Sequence, residues 1–204
     1  MNATTLYPPA SRPVGPAIAG AKLEIELVRR AQTGDHDAFG ALAQLSARKM
    51  YGVAIRILGS PDAAQDAVQD ALVEIWQDLR ALRDPARFGA WAMRILVRIA
   101  HRHAGRTRGI AMLSFDDVIV PDRDQFAALA DRDLLERAFR RITVDQRTVL
   151  VLRYHLGLEP GEIAEVLGIA HGTARSRLHY ALDALRAAVE ADSRRSEAGL
   201  EVIR

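Results

Sequence analysis

Three clusters of side chains in this sequence have the types and spacing that chemistry needs. The first is the run DAAQDAVQDALVEIWQDL over residues 62–79. At helical spacing it places Asp62, Asp66, Gln69, Asp70, Val73 and Gln77 opposite an apolar stripe of Val68, Leu72, Ile75 and Leu79. Clustered carboxylates could hold Mg²⁺ or serve as general acid and base. On one straight helix they point outward side by side and do not converge on a cavity. His101-Arg102-His103 lacks the spacing of paired helical ligands, so nothing completes a site. No catalytic residue, metal ligand or cofactor is expected. The acidic face is either solvated or a docking surface for a basic partner.

The second cluster lies in RFGAWAMRILVRIAHRHAGR, residues 87–106. Phe88, Ala92, Ile95, Leu96 and Ile99 form a stripe to be buried, while Arg87, Arg94, Arg98 and His101 recur at intervals of seven, four and three as one basic ridge. No neighbouring carboxylate neutralises that ridge. Between Arg80 and Arg108 eight arginines face Asp84 alone, whereas from Gly109 to Leu135 six aspartates face Arg123 and Arg132. Such segregation is the pattern of a polyanion-binding face followed by an acidic connector; a solvated surface usually mixes both signs. Trp91 falls between ridge and stripe, with Arg102 at the same edge. It can complete the core or stack on an unpaired base, and both roles stay open.

The third cluster is EPGEIAEVLGIAHGTARSRLHYALDALR, residues 159–186. Pro160 and Glu162 open a short helix through Ile163, Ala164 and Leu167. Gly168 follows where a sharp turn needs a positive φ. A second helix begins near Gly172. Ala174, Leu178, Ala181, Leu182, Leu185 and Val189 share its back; Thr173, Ser176, Arg177 and Tyr180 face away, with Arg175 and His179 at the margins. An apolar back and a front of hydroxyls and guanidinium groups suit a recognition helix in a major groove. The bland alternative is an αα-hairpin with a solvated face.

The elements that must position these clusters are helical throughout, and no stretch alternates apolar and polar residues convincingly. Helices are expected at about 22–33, 37–58 (with Phe39, Leu42, Leu45, Met50, Val53 and Ile57), 61–79 and from Asp84-Pro85 onward. Gly34-Asp35 and Gly59-Ser60-Pro61 punctuate them. Residues 109–130 break the periodicity and read as a linker. A second helical block follows to about Asp192, with Ile142, Val149, Leu150, Leu152 and Leu156 as core. The expected fold is all-α: two small helical bundles joined by a flexible acidic linker, the C-terminal one containing a helix-turn-helix. The domain map is a disordered tail over 1–21, bundles over 22–108 and 131–190, and a polar tail over 191–204. With no cysteine in 204 residues, disulfides and thiolate chemistry are excluded. Neither a signal peptide nor a membrane span is expected, which places the chain in the cytoplasm.

Taken together, these segments resemble a bacterial RNA polymerase sigma factor of the extracytoplasmic-function (ECF) group of the sigma-70 family, over about residues 22–190. DAAQDAVQDALVEIW resembles the core-polymerase-binding helix and RDPARFGAWAMRILVRIA the −10 recognition and melting segment. DQRTVLVLRYHLGLEPGEIAEVLGIAHGTARSRLHYALDALR resembles domain 4, which reads the −35 element. The resemblance implies a non-catalytic initiation factor that binds core polymerase, at the largest-subunit clamp coiled coil and the flap region. It would contact promoter DNA as duplex and as single strand, and it would be held in check by an anti-sigma factor. Asp66, Gln69, Asp70, Val73 and Gln77 would dock on core. Arg83, Arg87, Trp91, Arg94, Arg98, His101 and Arg102 would meet −10 DNA, the loop from about Leu82 to Arg87 capturing a flipped base. His171, Thr173, Arg175, Ser176, Arg177, His179 and Tyr180 would read −35. Arg98 and Arg102 stand where the family often carries Asn and Asp. The rival readings are a stand-alone helix-turn-helix regulator with an N-terminal sensor or dimerisation domain, and a Mg²⁺-dependent nuclease using the aspartates.

Overall fold

The structure is a computed structural model that describes residues 16–106 and 134–201. The described residues are helical, with no strand among them. The N-terminal bundle holds α1 (Pro16–Gln32), α2 (His36–Leu58), α3 (Pro61–Asp78) and α4 (Phe88–Arg106). The C-terminal bundle holds α5 (134–141), α6 (Val144–Leu150), α7 (Pro160–Leu167) and α8 (His171–Glu201). The expected 109–130 linker falls outside the described residues, as do residues 1–15 of the expected tail. Two ends differ from expectation: α1 already begins at Pro16, and α8 continues past Asp192 to Glu201.

The helix boundaries follow from local chemistry. Gly34 takes φ 98°, and Asp35 then caps α2 by accepting the Ala38 N–H at 2.9 Å. Gly59 ends α2 at φ 74°, and Ser60 with Pro61 starts α3. Between α3 and α4 run two 3₁₀ turns, Leu79–Ala81 and Pro85–Arg87, the second capped by Asp84.

Ala64, Ala67 and Ala71 on α3 are fully buried, and their small side chains let α2 and α4 close on α3 from two sides. The predicted α4 stripe is buried in full. Leu45 is a correction: it lies at the margin of the α2 stripe and stays 55% exposed. In the C-terminal bundle α6 and α7 pack on α8, whose Ala174 and Ala181 are fully buried. After α6 the chain widens into a π-helical turn, Val151–His155, in which the Leu156 N–H donates to Val151 O at 3.2 Å.

The two bundles also touch. Helix α2 meets α6 and the π turn, and α4 meets α6 and α7, so a single apolar cluster runs through both. Met93, Val97 and Ala100 are buried on α4 in addition to its predicted stripe. That leaves the basic ridge as a narrow band between two packed faces.

Candidate nucleic-acid interface

The α4 ridge is where the sequence expected it, but its charges have partners. Arg87 Nη2 lies 2.7 Å from Glu165 Oε2 on α7, and Arg94 donates to the Glu165 carbonyl oxygen. One turn further, Arg98 pairs with Glu74 of α3, and Arg102 Nη2 lies 3.8 Å from the other oxygen of that carboxylate. The expectation of a ridge with no carboxylate nearby is therefore corrected. Both acids come from other helices, so sequence neighbourhood could not reveal them. The arginines remain exposed, 61% at Arg87 and 60% at Arg98. Exposed pairs of this kind contribute about 0–1 kcal/mol, little enough for a phosphate to replace them.

At the end of the ridge, His101 Nε2 is 2.9 Å from Thr148 Oγ1 on α6. The Thr148 hydroxyl proton goes to Val144 O at 2.8 Å, so the hydroxyl must accept and the imidazole Nε2–H donates. Nδ1 then faces the Asp145 carboxylate at 3.3 Å. Burial pushes the His101 pKa down and Arg177 adds to this, while the exposed Asp145 opposes them without winning.

Trp91 is half-buried. It packs against the core with its ring centroid 6.2 Å from that of Phe88, and an edge remains at the surface beside the ridge. Both roles left open for it are thus compatible with one position. Arg83 is exposed in the α3–α4 connection, between the two 3₁₀ turns.

The acidic face of α3 is assembled as expected: Asp66, Gln69, Asp70, Val73 and Gln77 are all exposed on one side. Val73 is 57% exposed at its centre. Asp70 Oδ2 lies 2.8 Å from His103 Nε2, which ties this face to α4. Among the described residues no group of three or more His, Asp or Glu is placed to share a cation.

On α8, His171, Thr173, Arg175, Ser176, Arg177, His179 and Tyr180 are all exposed along the N-terminal half. The Ser176 hydroxyl donates to Gly172 O at 3.0 Å, and His179 lies 3.4 Å from Asp183. The α7–α8 turn is sharp because Gly168 adopts φ 65° and the Ile169 N–H returns to Ala164 O at 3.0 Å. This α7–turn–α8 unit is a helix-turn-helix whose second helix offers donors and acceptors at the depth of a major groove.

Known proteins share these features. Residues 42–109 match Sigma-70 region 2 and residues 132–185 match Sigma-70, region 4. The chain is 34% identical over 152 residues to the ECF RNA polymerase sigma factor SigL of Mycobacterium tuberculosis, a span of 72% of this chain and 85% of SigL. It is 26% identical over 174 residues to SigW of Bacillus subtilis, covering 78% and 92% of the two chains. Among solved structures, CnrH in complex with the cytosolic domain of CnrY is similar at TM-score 0.63 and 26% identity, over 83% of this chain and 99% of that one. The fold is also that of the sigma factor RpoE from Bartonella quintana in complex with the anti-sigma factor NepR, at TM-score 0.53 and 24% identity, over 76% and 98% of the two chains. With region 2 matched on the bundle that carries the ridge, and region 4 on the helix-turn-helix, the chain belongs to the extracytoplasmic-function group of sigma-70 factors, which give RNA polymerase its promoter specificity at transcription initiation.

Proposed function

We propose that the two bundles divide a promoter between them while α3 holds the polymerase. The bundle over 22–108 acts as domain 2 and that over 131–190 as domain 4. Asp66, Gln69, Asp70, Val73 and Gln77 dock on the clamp coiled coil of the largest core subunit: four polar groups around an exposed valine suit a basic partner with an apolar centre. Domain 4 additionally meets the flap region. The α8 front reads the −35 duplex. The α4 ridge, with the Trp91 edge and the loop from Leu82 to Arg87, receives the separated −10 strand. The protein acts without catalysis of its own, in the cytoplasm, and no helix among the described residues is long and apolar enough to cross a membrane.

The observation that carries this assignment is the pairing of Arg87 and Arg94 with Glu165. It puts a carboxylate where the ridge would hold phosphate and turns the −10 face of one bundle towards the helix-turn-helix of the other. In our reading core polymerase separates the bundles and frees the ridge. A protein partner could instead hold them together. CnrH is seen with the cytosolic domain of CnrY, and an anti-sigma factor is the corresponding partner proposed here.

Mixing the purified protein with core polymerase tests the assignment. Comigration with core and promoter-specific transcripts are expected. Asp66→Arg with Asp70→Arg should weaken core association by at least tenfold at unchanged thermal stability, since exposed α3 carboxylates support docking and not the fold. Normal core binding by that double variant would place the docking face elsewhere.

A further inference from the structure

The connection between α3 and α4 is held from outside. Gln32, the last residue of α1, sends Nε2 to within 3.0 Å of Leu79 O and 2.7 Å of Leu82 O. Two carbonyl oxygens converge on one atom, so that atom must be the amide nitrogen and both its protons are committed. The Leu82 N–H also donates to Leu79 O at 3.2 Å, closing the first 3₁₀ turn. Gln32 thus fastens both ends of that turn and sets the direction in which Arg83 leaves it. On the far side Asp84 takes over: its carboxylate accepts the Ala86 N–H at 3.0 Å, and its carbonyl accepts the Arg87 N–H at 3.0 Å. Exposed Arg83 is bracketed by these two fixtures.

Gln32 is itself set by a braced corner. Arg30 donates from Nε and Nη2 to Asp35 Oδ2 at 2.9 and 2.7 Å, and the Thr33 hydroxyl donates to Arg30 O at 2.7 Å. The Asp35 carboxyl lies below its ordinary pKa, chiefly through the Ala38 N–H and then through Arg30. A side chain that only filled this half-buried place could be apolar. The two loop carbonyls require a double donor.

We propose that Gln32 is the positioning residue of the α3–α4 loop: by donating both amide protons to Leu79 O and Leu82 O, it fixes how the loop is presented to an unpaired −10 base. This rests on the reading of the loop given under Proposed function. Gln32 touches no DNA itself. It acts through backbone that would.

The test joins full-length variants to core polymerase. The DNA is a promoter fragment that wild-type holoenzyme selects from a random-sequence library, with −10 bases then varied one at a time. Gln32→Glu keeps the shape but presents an acceptor to two acceptors, Gln32→Leu removes polarity, and Gln32→Lys restores donors. The expected result is a loss on the order of tenfold in preference among −10 bases for the Glu and Leu variants, with partial recovery in the Lys variant. Core affinity and −35 preference should be unchanged. Retained −10 preference in Gln32→Glu would overturn the proposal. So would parallel loss of −10 preference, −35 preference and core affinity, which marks a folding effect. Leu82→Gly with Arg83→Ala separates the two levels. If this loop variant leaves −10 preference intact, the loop reading itself falls. If it abolishes the preference and Gln32→Glu does not, only the role of Gln32 falls.

Discussion

The α4 ridge and the α8 front are both arginine-bearing faces, yet they stand in opposite states. On α4 the guanidinium groups of Arg87, Arg94, Arg98 and Arg102 all have acceptors from α3 or α7. On α8, Arg175 and Arg177 are exposed, and no acidic group among the described residues lies within ion-pair distance of either. The duplex-facing surface is therefore ready as folded, whereas the single-strand-facing surface must first exchange protein acceptors for phosphates. A factor built this way is poised to recognise intact DNA before opened DNA.

The comparison can be broken at either side. The largest effect is expected from Arg175→Ala with Arg177→Ala. A bidentate arginine–guanine contact is worth about 1–3 kcal/mol, so promoter binding through −35 should fall by roughly tenfold to several hundredfold at unchanged core affinity. A wild-type result would reduce the open front to ordinary solvated surface. Next, Glu165→Arg removes the acceptor of Arg87 and sets like charges together. Because that pair is exposed, a gain of about fivefold in the free protein's affinity for a single-stranded oligonucleotide is expected. No gain would show that Glu165 does not compete with DNA.

Acidification sharpens the same contrast with a smaller, few-fold effect. His101 is held below its ordinary pKa by burial, then by Arg177, against Asp145; His155 by burial, then by Arg56 and Lys49. Separation of the bundles returns both towards about 6.5. As pH falls through that value the separated form takes up protons more readily than the packed form, so packing weakens; well above it there is no dependence. Fluorescence transfer between labels on the two bundles should fall between pH 7.5 and 5.5, values chosen about one unit either side of the free imidazole pKa. Tighter packing in acid would mean that Asp145 outweighs burial at His101. The smallest effect is expected of Gly52→Ala. The added Cβ would come within 3.1 Å of His155 Nε2, so the imidazole must shift. The α2 helix meanwhile gains about 0.5–1 kcal/mol from losing a mid-helix glycine. A slightly raised melting temperature with slightly looser bundle contact is expected, and a lowered one would mean that the imidazole cannot give way.

Much of this was legible in the sequence because it is periodic or local. The α4 stripe, the caps at Asp35 and Ser60, the Gly168 turn and the α8 front depend on residues within a few positions of one another. What escaped depends on contacts across the chain. Glu74 reaches Arg98 over 24 positions, Glu165 reaches Arg94 over 71, and Gln32 reaches Leu82 over 50. Glu74 offered a faint signal, since it lies at the margin of the α3 stripe and not on the acidic face. Arg98 and Arg102, the positions that depart from the family's habit, are the two that share that carboxylate. Leu45 misled because an apolar type at helical spacing says nothing about whether a neighbour covers it.

The π turn after α6 has a geometrical consequence. By bonding five residues back it inserts one residue more than an α-helix would use, and Val149, Leu150, Val151 and Leu152 can all be buried in succession. Each α-helical residue turns the chain by about 100°, so this one residue sets the angular phase of everything beyond it. Deleting a single position between 151 and 155 would swing the helix-turn-helix by about that angle relative to α6. The reader would stay folded and point at the wrong side of the double helix.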